Sequence, residues 1–501
     1  MTPCLLGIDV GLSVTKAVVC DLEGRELGVG EGRSPYDTPR PRWVERDMLG
    51  IWEDCVSAIR GALEASGVSG ADVLAVGVAG HGDGLYLVDG NGDPVRPAIL
   101  SLDSRAHEVV ERWRGSGLLG EALALTGQHP FAASPAALIS WMQEHEPENL
   151  GRSRWALFCK DWIKLKLTGE VSTDPTEASA SFTDVNTQDY SDAAFRLYGL
   201  GGFWEKTPPI VGCAEVAGEV TRRAAGATGL VPGTPVVSGA HDVDGSALGV
   251  GSLRPGQLCV VSGTWSINEV VAAAPAVDPR WQCRNFVEPG LWMHMATSPA
   301  SATNLDWFVR RLCVPEADEA DRLGRSPFEF AGAEVETVLE EKAGVIYHPF
   351  LYGQPQRSDA SAGFFGLRGW HTRAHLLRAL FEGVVFNHRA HVDALRSTFP
   401  VSEVRLTGGG IKSDLWLQMF ADALGMPVNL ANTQESGARG VALCAGVGVG
   451  AYGSVGEAVE RAVRIVRSYE PDPVRHDSLS ETYRTYTALI EALAPLWPSL
   501  E

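Results

Sequence analysis

Residues 5–21, LLGIDVGLSVTKAVVCD, and residues 257–275, QLCVVSGTWSINEVVAAAP, carry the decisive pattern of this chain. Each sets two apolar, β-branched runs either side of a polar turn, around Gly11, Leu12 and Ser13 in the first and Ser262, Gly263 and Thr264 in the second. Alternation of that kind is a strand, a tight turn and a returning strand. The short stretch Gly251 to Gly256, GSLRPG, precedes the second copy and reads as a linker. The sequence therefore predicts two domains that open alike, residues 1–251 and 252–501. A chain of 501 residues also exceeds what one compact core usually holds.

Working outward, residues 52–66 have helical spacing and residues 73–78 form a continuous apolar run suited to a buried strand. Residues 231–251, VPGTPVVSGAHDVDGSALGVG, read as turn, strand, turn and a helix of small residues. Residues 372–399 form a long amphipathic helix, residues 404–406 a strand ending in Gly408, Gly409 and Gly410, and residues 415–424 another helix. Strand and helix alternate, which is the mark of an α/β fold.

The formal charge of −20, from 42 basic against 62 acidic residues, sets a field that repels polyanions, so nucleic acid is not an expected partner. The nine cysteines are scattered and never spaced C-x-x-C, which points to a reducing compartment rather than a disulfide framework. Gly7 and Asp9 come too early for a signal peptide, and the apolar window 441–453 is short and glycine-rich, unlike a membrane span. A cytoplasmic protein with no membrane partner is expected.

No lysine follows a glycine anywhere in the chain, so a Walker A loop cannot be written, and the G-x-S-x-G elbow is missing. A hairpin turn can hold phosphate instead, through exposed backbone N–H groups and Ser or Thr hydroxyls, with glycine permitting close approach. Residues 11–16 and 262–266 each have that chemistry, and facing one another they would grip one triphosphate. Asp9 lies mid-strand, where a carboxylate needs a partner, and Mg²⁺ would supply one. Asp242 stands where a strand gives way to the small-residue helix, so a carboxylate there is held ionised yet can accept a hydroxyl proton. Asp244 competes for that role, and spacing alone does not choose between them.

Seven segments in order, GIDVGLSVTKAVVCD, GDGLYLVDGNGDPVRPAILSLDSRA, KDWIKLKLTGE, GAHDVDGSALG, VVSGTWS, RLTGGGIKSDLWLQMFADALG and ESGARGVALCAG, resemble FGGY carbohydrate kinases over essentially the whole chain. The resemblance implies two actin-like (ribonuclease-H-like) domains with ATP in the interdomain cleft, the first binding sugar and the second nucleotide. It implies Asp242 as catalytic base and Asp9 as the carboxylate of the Mg²⁺ site. Gly11, Ser13, Thr15 and Lys16 belong to the first phosphate loop and Ser262, Gly263 and Thr264 to the second. Gly408, Gly409 and Ser413 border the adenosine, with Glu435 and Ala438 nearby. The implied activity is ATP-dependent transfer of a phosphoryl group to a hydroxyl of a small sugar.

For the sugar, residues 80–84 (GHGDG) and 103–105 (DSR) offer convergent donors and acceptors at His81, Gly82, Asp83, Asp103 and Arg105. Asp83 departs from the His that D-xylulose kinases usually carry there. AILSLDSRA and HTRAHLLRALFEGVVFNH look like the L-xylulose kinase branch, so a ketopentose is the first expectation. The G-x-G-D-G pattern is similar to erythritol kinases and makes a C4–C6 polyol the second. An actin-like ATPase without sugar transfer, and a sugar-binding regulator, are the competing classes. A homodimer is left open. The pairs His371/His375 and His388/His391 have metal-ligand spacing but no H-E-x-x-H companion. The run Trp43 to Asp47 looks like a sugar contact, but Asp47 more simply caps the next helix.

Overall fold

In the computed structural model, residues 3–500 are described, apart from 327, 343, 355, 356 and 358. The chain forms two compact units. Unit 1 comprises Met1–Leu253, Val271–His294 and Asn432–Arg464; unit 2 comprises Arg254–Val270, Met295–Ala431 and Ile465–Glu501. The division at Leu253–Arg254 lies beside the cut expected after residue 251. Two later segments nonetheless rejoin unit 1, and no linker signal in the sequence announces them.

In unit 1 the predicted hairpin is the antiparallel pair Cys4–Val10 and Val14–Asp21, with Glu26–Arg33 beyond it. On the other side Cys4–Val10 runs parallel to Val73–Gly80, which in turn is parallel to Pro235–Val237. Unit 2 repeats this plan. Gly256–Ser262 pairs antiparallel with Ser266–Ala272, which neighbours Trp292–Ser298. Gly256–Ser262 is also parallel to Val401–Thr407, and that strand is parallel to Val428–Ala431. Numbering in chain order only the five strands just named in each unit, both sheets share the spatial order 3-2-1-4-5; Val216–Glu219 and Ala240–His241 add to the first sheet, and Gln282–Asn285 and Ile465–Tyr469 to the second. The central strands are buried on both faces, which is why they read as unbroken apolar runs rather than alternating ones.

The helix Met48–Ser66 begins at Asp47, whose carboxylate accepts from the N–H groups of Leu49 and Gly50, and ends at Gly67 in the left-handed region. It lays Ile51, Cys55, Ala58, Ile59 and Ala62 into the core of unit 1 with Ile8, Val10, Val76, Val78 and Trp162. The opposite face of the sheet is covered by the helix Ser436–Gly448, from the last returning segment. A Cβ at Gly7 would stand 1.8 Å from the carbonyl oxygen of Ala438, and one at Gly77 2.0 Å from that of Val441. The helix Asp242–Val250 crosses Ser436–Gly448 just as closely: a Cβ on Gly440 would meet the Gly245 oxygen at 1.9 Å. Both glycine-rich segments therefore owe their composition to backbone-to-backbone packing.

All nine cysteines are free and buried. Among the described residues no helix is long and apolar enough to cross a membrane.

Candidate active site

The first turn projects from the strand pair that carries Asp9. Val10 faces Thr15 and Asp9 faces Lys16 across the ladder, and the Gly11 N–H closes the turn on the Val14 oxygen at 3.0 Å. The buried Arg46 guanidinium donates to the carbonyl oxygens of Gly11 (3.2 Å) and Leu12 (3.0 Å). Those acceptors are thereby held back, and an approaching anion meets less carbonyl charge. Ser13 is exposed at the tip, whereas Thr15 is fully buried and its hydroxyl has no hydrogen-bond partner among the described residues. Lys16 reaches back to Glu435, Nζ to Oε1 2.6 Å, so its charge is spoken for within unit 1.

Asp9 lies against the start of the Ser436–Gly448 helix, where a Cβ on Gly437 would come within 2.3 Å of Asp9 Oδ2. Burial pushes the Asp9 carboxyl up to about 6, Glu435 adds to the rise, and Lys16 opposes it. Asp242 is the first residue of its helix, and its side chain keeps 32% of its surface open. Burial raises its carboxyl to about 8, with Asp9 contributing next, while the Val243 N–H and Arg284 pull the other way. Asp9 raises Asp242, so a cation beside them would be stabilised, and Mg²⁺ characteristically takes one or two carboxylates. Asp9 fits that donor set. Asp244 differs: it is 1% exposed, neither oxygen finds a hydrogen bond, and burial drives its carboxyl well above the usual range.

Around Asp242 the structure gathers residues far apart in sequence. His241 Nε2 stands 3.1 Å from Asp242 Oδ1, and burial holds the imidazole neutral. A Cβ on Gly82 would sit 2.4 Å from His241 Nε2, which places the 80–84 loop directly against the Asp242 turn. His81 Nε2 pairs with the Tyr86 hydroxyl at 2.9 Å, and burial lowers its pKa to about 4. Asp83 has a left-handed backbone, φ 56°, and its carboxylate is chelated by Arg284 NH2 at 2.9 and 3.2 Å. Asp103 and Arg105 form another network. Asp103 accepts from the Val44 N–H at 2.7 Å and pairs with Arg105, which also reaches Glu45 and lies 3.9 Å over the Trp43 ring. Their charges answer each other, and the Trp43 to Asp47 run serves that packing and the helix cap.

Residues that carried no assigned role from the sequence complete the surroundings. Lys160 bonds Asp161 at 2.7 Å and also pairs with Asp174; Lys164 reaches Asp161 at 3.4 Å and the Ser238 hydroxyl at 3.1 Å. All four charged side chains are fully buried. Burial pulls Lys160 down, but Asp161, Asp174 and Glu177 outweigh it; burial lowers Lys164 to about 8, and Lys160 beside it adds to the fall. The Thr176 hydroxyl, next to the Asp174 cap, accepts from the His241 N–H at 2.9 Å, so this network fixes the turn leading into Asp242. The available signal was Lys160 and Lys164, one turn apart with Asp161 between them in the helix Cys159–Thr168, charges that demand partners once that face is buried. Arg284, a lone guanidinium in the run WQCRNF, was the other such signal.

Unit 2 builds its turn by similar means. The Ala302 N–H donates to the Gly263 oxygen at 3.1 Å and the Thr303 hydroxyl to the Thr264 oxygen at 3.4 Å. Thr264 is exposed, Gly263 half-buried and Ser262 fully buried. Gly408, at φ 89°, passes so near that a Cβ would stand 2.7 Å from the Ser262 oxygen; one on Gly410 would be 2.9 Å from Ser262 Oγ. Gly409 begins the short helical turn between them, and Ser413 caps the helix Asp414–Leu424 through the Trp416 N–H. Beneath the turn, His388 Nδ1 lies 2.8 Å from Asn268 Oδ1 and 3.0 Å from Ser266 Oγ, while Nε2 lies 3.3 Å from Ser301 Oγ. His391 pairs with Ser298 at 3.1 Å. Burial keeps both rings neutral, at about 3 and 4. Among the described residues no three His, Cys, Asp or Glu side chains group as a metal cage, so these histidines are hydrogen-bonding posts.

Comparison with known proteins places this geometry. The FGGY family of carbohydrate kinases, N-terminal domain, matches residues 4–249, and the C-terminal domain of the same family matches residues 258–449. The chain is 36% identical over 502 residues to the L-xylulose/3-keto-L-gulonate kinase of Escherichia coli strain K12, covering 98% of each. It is 29% identical to the erythritol kinase of Brucella abortus, covering 99% of this chain and 97% of that one. The crystal structure of xylulose kinase from Rhodospirillum rubrum superposes with a TM-score of 0.87 at 29% identity, covering 99% of both chains.

Proposed function

Since the chain belongs to the FGGY family of carbohydrate kinases, we propose that it moves the γ-phosphoryl group of ATP onto a hydroxyl of a ketopentose such as L-xylulose or xylulose, with Asp242 as general base. The observation that carries this reading is the setting of Asp242: a helix-initiating carboxylate with one third of its surface open, beside Asp9, and against the loop that bears Asp83. Its enclosed neighbour Asp244 has no such access. The similarity to a kinase named for L-xylulose supports the choice of acceptor.

Phosphoryl transfer asks for positioning and charge stabilisation more than covalent chemistry. Asp242 would orient the attacking hydroxyl and take its proton; the raised carboxyl makes it a stronger base than an exposed aspartate. His241, neutral and 3.1 Å away, steadies the carboxylate without competing for the proton. Asp9 would hold Mg²⁺, which when bound neutralises charge on the phosphate oxygens. Each turn, taken by itself, has carbonyl oxygens drawn off by other donors, leaving its exposed hydroxyl, Ser13 or Thr264, for phosphate. The residues Gly408, Gly409 and Ser413 are assigned to the adenosine.

One observation favours a polyol acceptor instead: Asp83 stands between two glycines, the pattern that led the sequence towards erythritol kinases, and an erythritol kinase is among the relatives. A coupled ATPase assay with Mg-ATP and a panel of ketopentoses and C4–C6 polyols tests the whole reading. Sugar-dependent turnover is expected, strongest with a ketopentose. Turnover independent of any sugar would replace the kinase with an actin-like ATPase. Asp242→Asn is expected to lower kcat by about 10²–10⁴ while ATP affinity stays within about twofold, as loss of a base predicts. Undiminished kcat would remove Asp242 from that role.

A further inference from the structure

The ring of His241 stands between two carboxyl groups of the helix that follows it. Nε2 lies 3.1 Å from Asp242 Oδ1, and Nδ1 lies 3.6 Å from Asp244 Oδ2. The residue is held on two sides: its backbone N–H donates to the Thr176 hydroxyl at 2.9 Å, and the 80–84 loop packs against the Nε2 edge at Gly82. Among the described residues, Nδ1 and both oxygens of Asp244 are buried without a hydrogen bond. Buried polar atoms in native proteins are nearly always paired, and here two unpaired groups face one another. Their separation is slightly beyond a hydrogen bond, and such contacts in ligand-free active sites tighten when substrate binds.

A neutral imidazole carries one ring proton, so two arrangements can be drawn. With the proton on Nε2, the ring donates to an ionised Asp242, and Nδ1 accepts the O–H of a protonated Asp244. With the proton on Nδ1, the ring donates to an ionised Asp244, and Nε2 turns a lone pair towards Asp242, which must be protonated to meet it. The second places the charge on the side chain that is 1% exposed and takes it from the one that is 32% exposed. Solvent and the Val243 N–H favour charge on Asp242, so solvation selects the first. The surroundings of Asp244 agree: burial favours its neutral form, Asp174 and Asp242 add to that, and Arg284 opposes it.

Resting on the reading of Asp242 as the base, we infer that Asp244 is a positioning residue: as a neutral acid it donates to His241 Nδ1, which fixes the ring proton on Nε2 and holds Asp242 ionised and oriented for the acceptor. A carboxyl kept neutral by its enclosure can serve as a donor in this way. The Nε2–H occupies one oxygen of Asp242 and leaves the other for the hydroxyl proton. That proton passes from the acceptor oxygen to Asp242 as the oxygen attacks phosphorus, and neither His241 nor Asp244 gains or loses one. The plainer alternative is an ionised Asp244 that merely favours the positive end of its helix, and the two make different predictions.

The test compares Asp244→Asn, which keeps an N–H donor in place of the acid's O–H, with Asp244→Leu, which has none, each checked by thermal melting. Asp244→Leu is expected to lower kcat by about 10- to 100-fold, the worth of a hydrogen bond to a charged group, with KM for ATP within about twofold. Asp244→Asn should keep most of the wild-type kcat. Because Asp244 acts through the ring, adding Asp244→Leu to His241→Leu should cost nothing further. Nitrogen NMR of histidine-labelled protein, with the His241 signals identified by their loss in His241→Leu, should show the Nε2–H tautomer in wild type and in Asp244→Asn. That measurement needs only the wild-type protein, so it decides the matter even if Asp244→Leu fails to fold. An Nδ1–H tautomer in wild type, equal losses in the Asn and Leu variants, or additive losses in the double variant would overturn the assignment. A wild-type protein inert towards every sugar and polyol but holding the Nε2–H tautomer would overturn the kinase reading and support the Asp244–His241 pairing.

Discussion

Asp242 and Asp244 share one helix and the same side chain, yet their surroundings make them different acids. Asp242 meets solvent and His241 Nε2 at 3.1 Å; Asp244 is sealed in, with Nδ1 of the same ring 3.6 Å away and, among the described residues, no hydrogen bond to either oxygen. Its folded-state pKa is raised by burial, so between an unfolded value near 3.9 and the higher folded one the native protein binds the extra proton. Stability from this group is therefore present at low pH and lost as pH rises through that window. Asp244→Asn removes the term. Its stability relative to wild type is expected to improve as pH rises above 5, by at most about 1.4 kcal/mol per pH unit until the folded-state pKa is passed, read from urea unfolding. A constant difference across that range would mean that Asp244 is ionised in the native state. At this scale the sequence showed Asp9 and Asp242 through position alone, one mid-strand and one opening a helix. It left Asp244 undecided and Arg284 unnoticed, because access and pairing depend on residues remote in the chain; Arg284 and Asp83 are 201 positions apart.

Both turns depend on donors that occupy their carbonyl oxygens, Arg46 in one case and Ala302 with Thr303 in the other. The second has a further support. Asn268 donates its amide to the Ala296 oxygen at 3.2 Å, which leaves Oδ1 facing His388 and requires the ring proton on Nδ1. Nε2 is then an acceptor for the Ser301 hydroxyl, so one neutral ring ties the strand Ser266–Ala272 to the segment behind Gly263. His388→Ala is expected to raise KM for ATP tenfold or more while KM for the sugar changes by less than about twofold, since the unpaired hydroxyl and amide cost about 1–3 kcal/mol at the turn. His388→Asn should retain part of the effect. A folded His388→Ala protein with wild-type KM for ATP would show that the turn stands without it. Hairpins and helices were legible because periods of 2 and 3.6 are written locally, as in residues 5–21 and 372–399. The work of His388 was not: its spacing to His391 looked like a metal pair, and only packing shows hydroxyl and amide partners.

The shared 3-2-1-4-5 strand order explains why two hairpins alone suggested two domains. What the linear reading missed is how the units are closed. Unit 1 needs Ser436–Gly448 to cover the face on which Gly7 and Gly77 lie, and those glycines leave nothing to bury without it. A fragment ending at residue 251 is therefore expected to lack a cooperative melting transition, whereas the full chain has one; sharp two-state unfolding of that fragment would contradict it. Glycine signalled that something approached closely at each site, but a contact between residue 7 and residue 438 has no local signature.

That late-arriving helix also imposes a timetable on biosynthesis. When Leu253 leaves the ribosome, the first sheet still lacks its cover, and at 5–20 residues per second the wait until Gly448 emerges lasts on the order of ten seconds or more. Throughout that interval a bare apolar surface travels with the nascent chain, a natural client for a holding chaperone, and the N-terminal half becomes native only after Ser436–Gly448 has emerged.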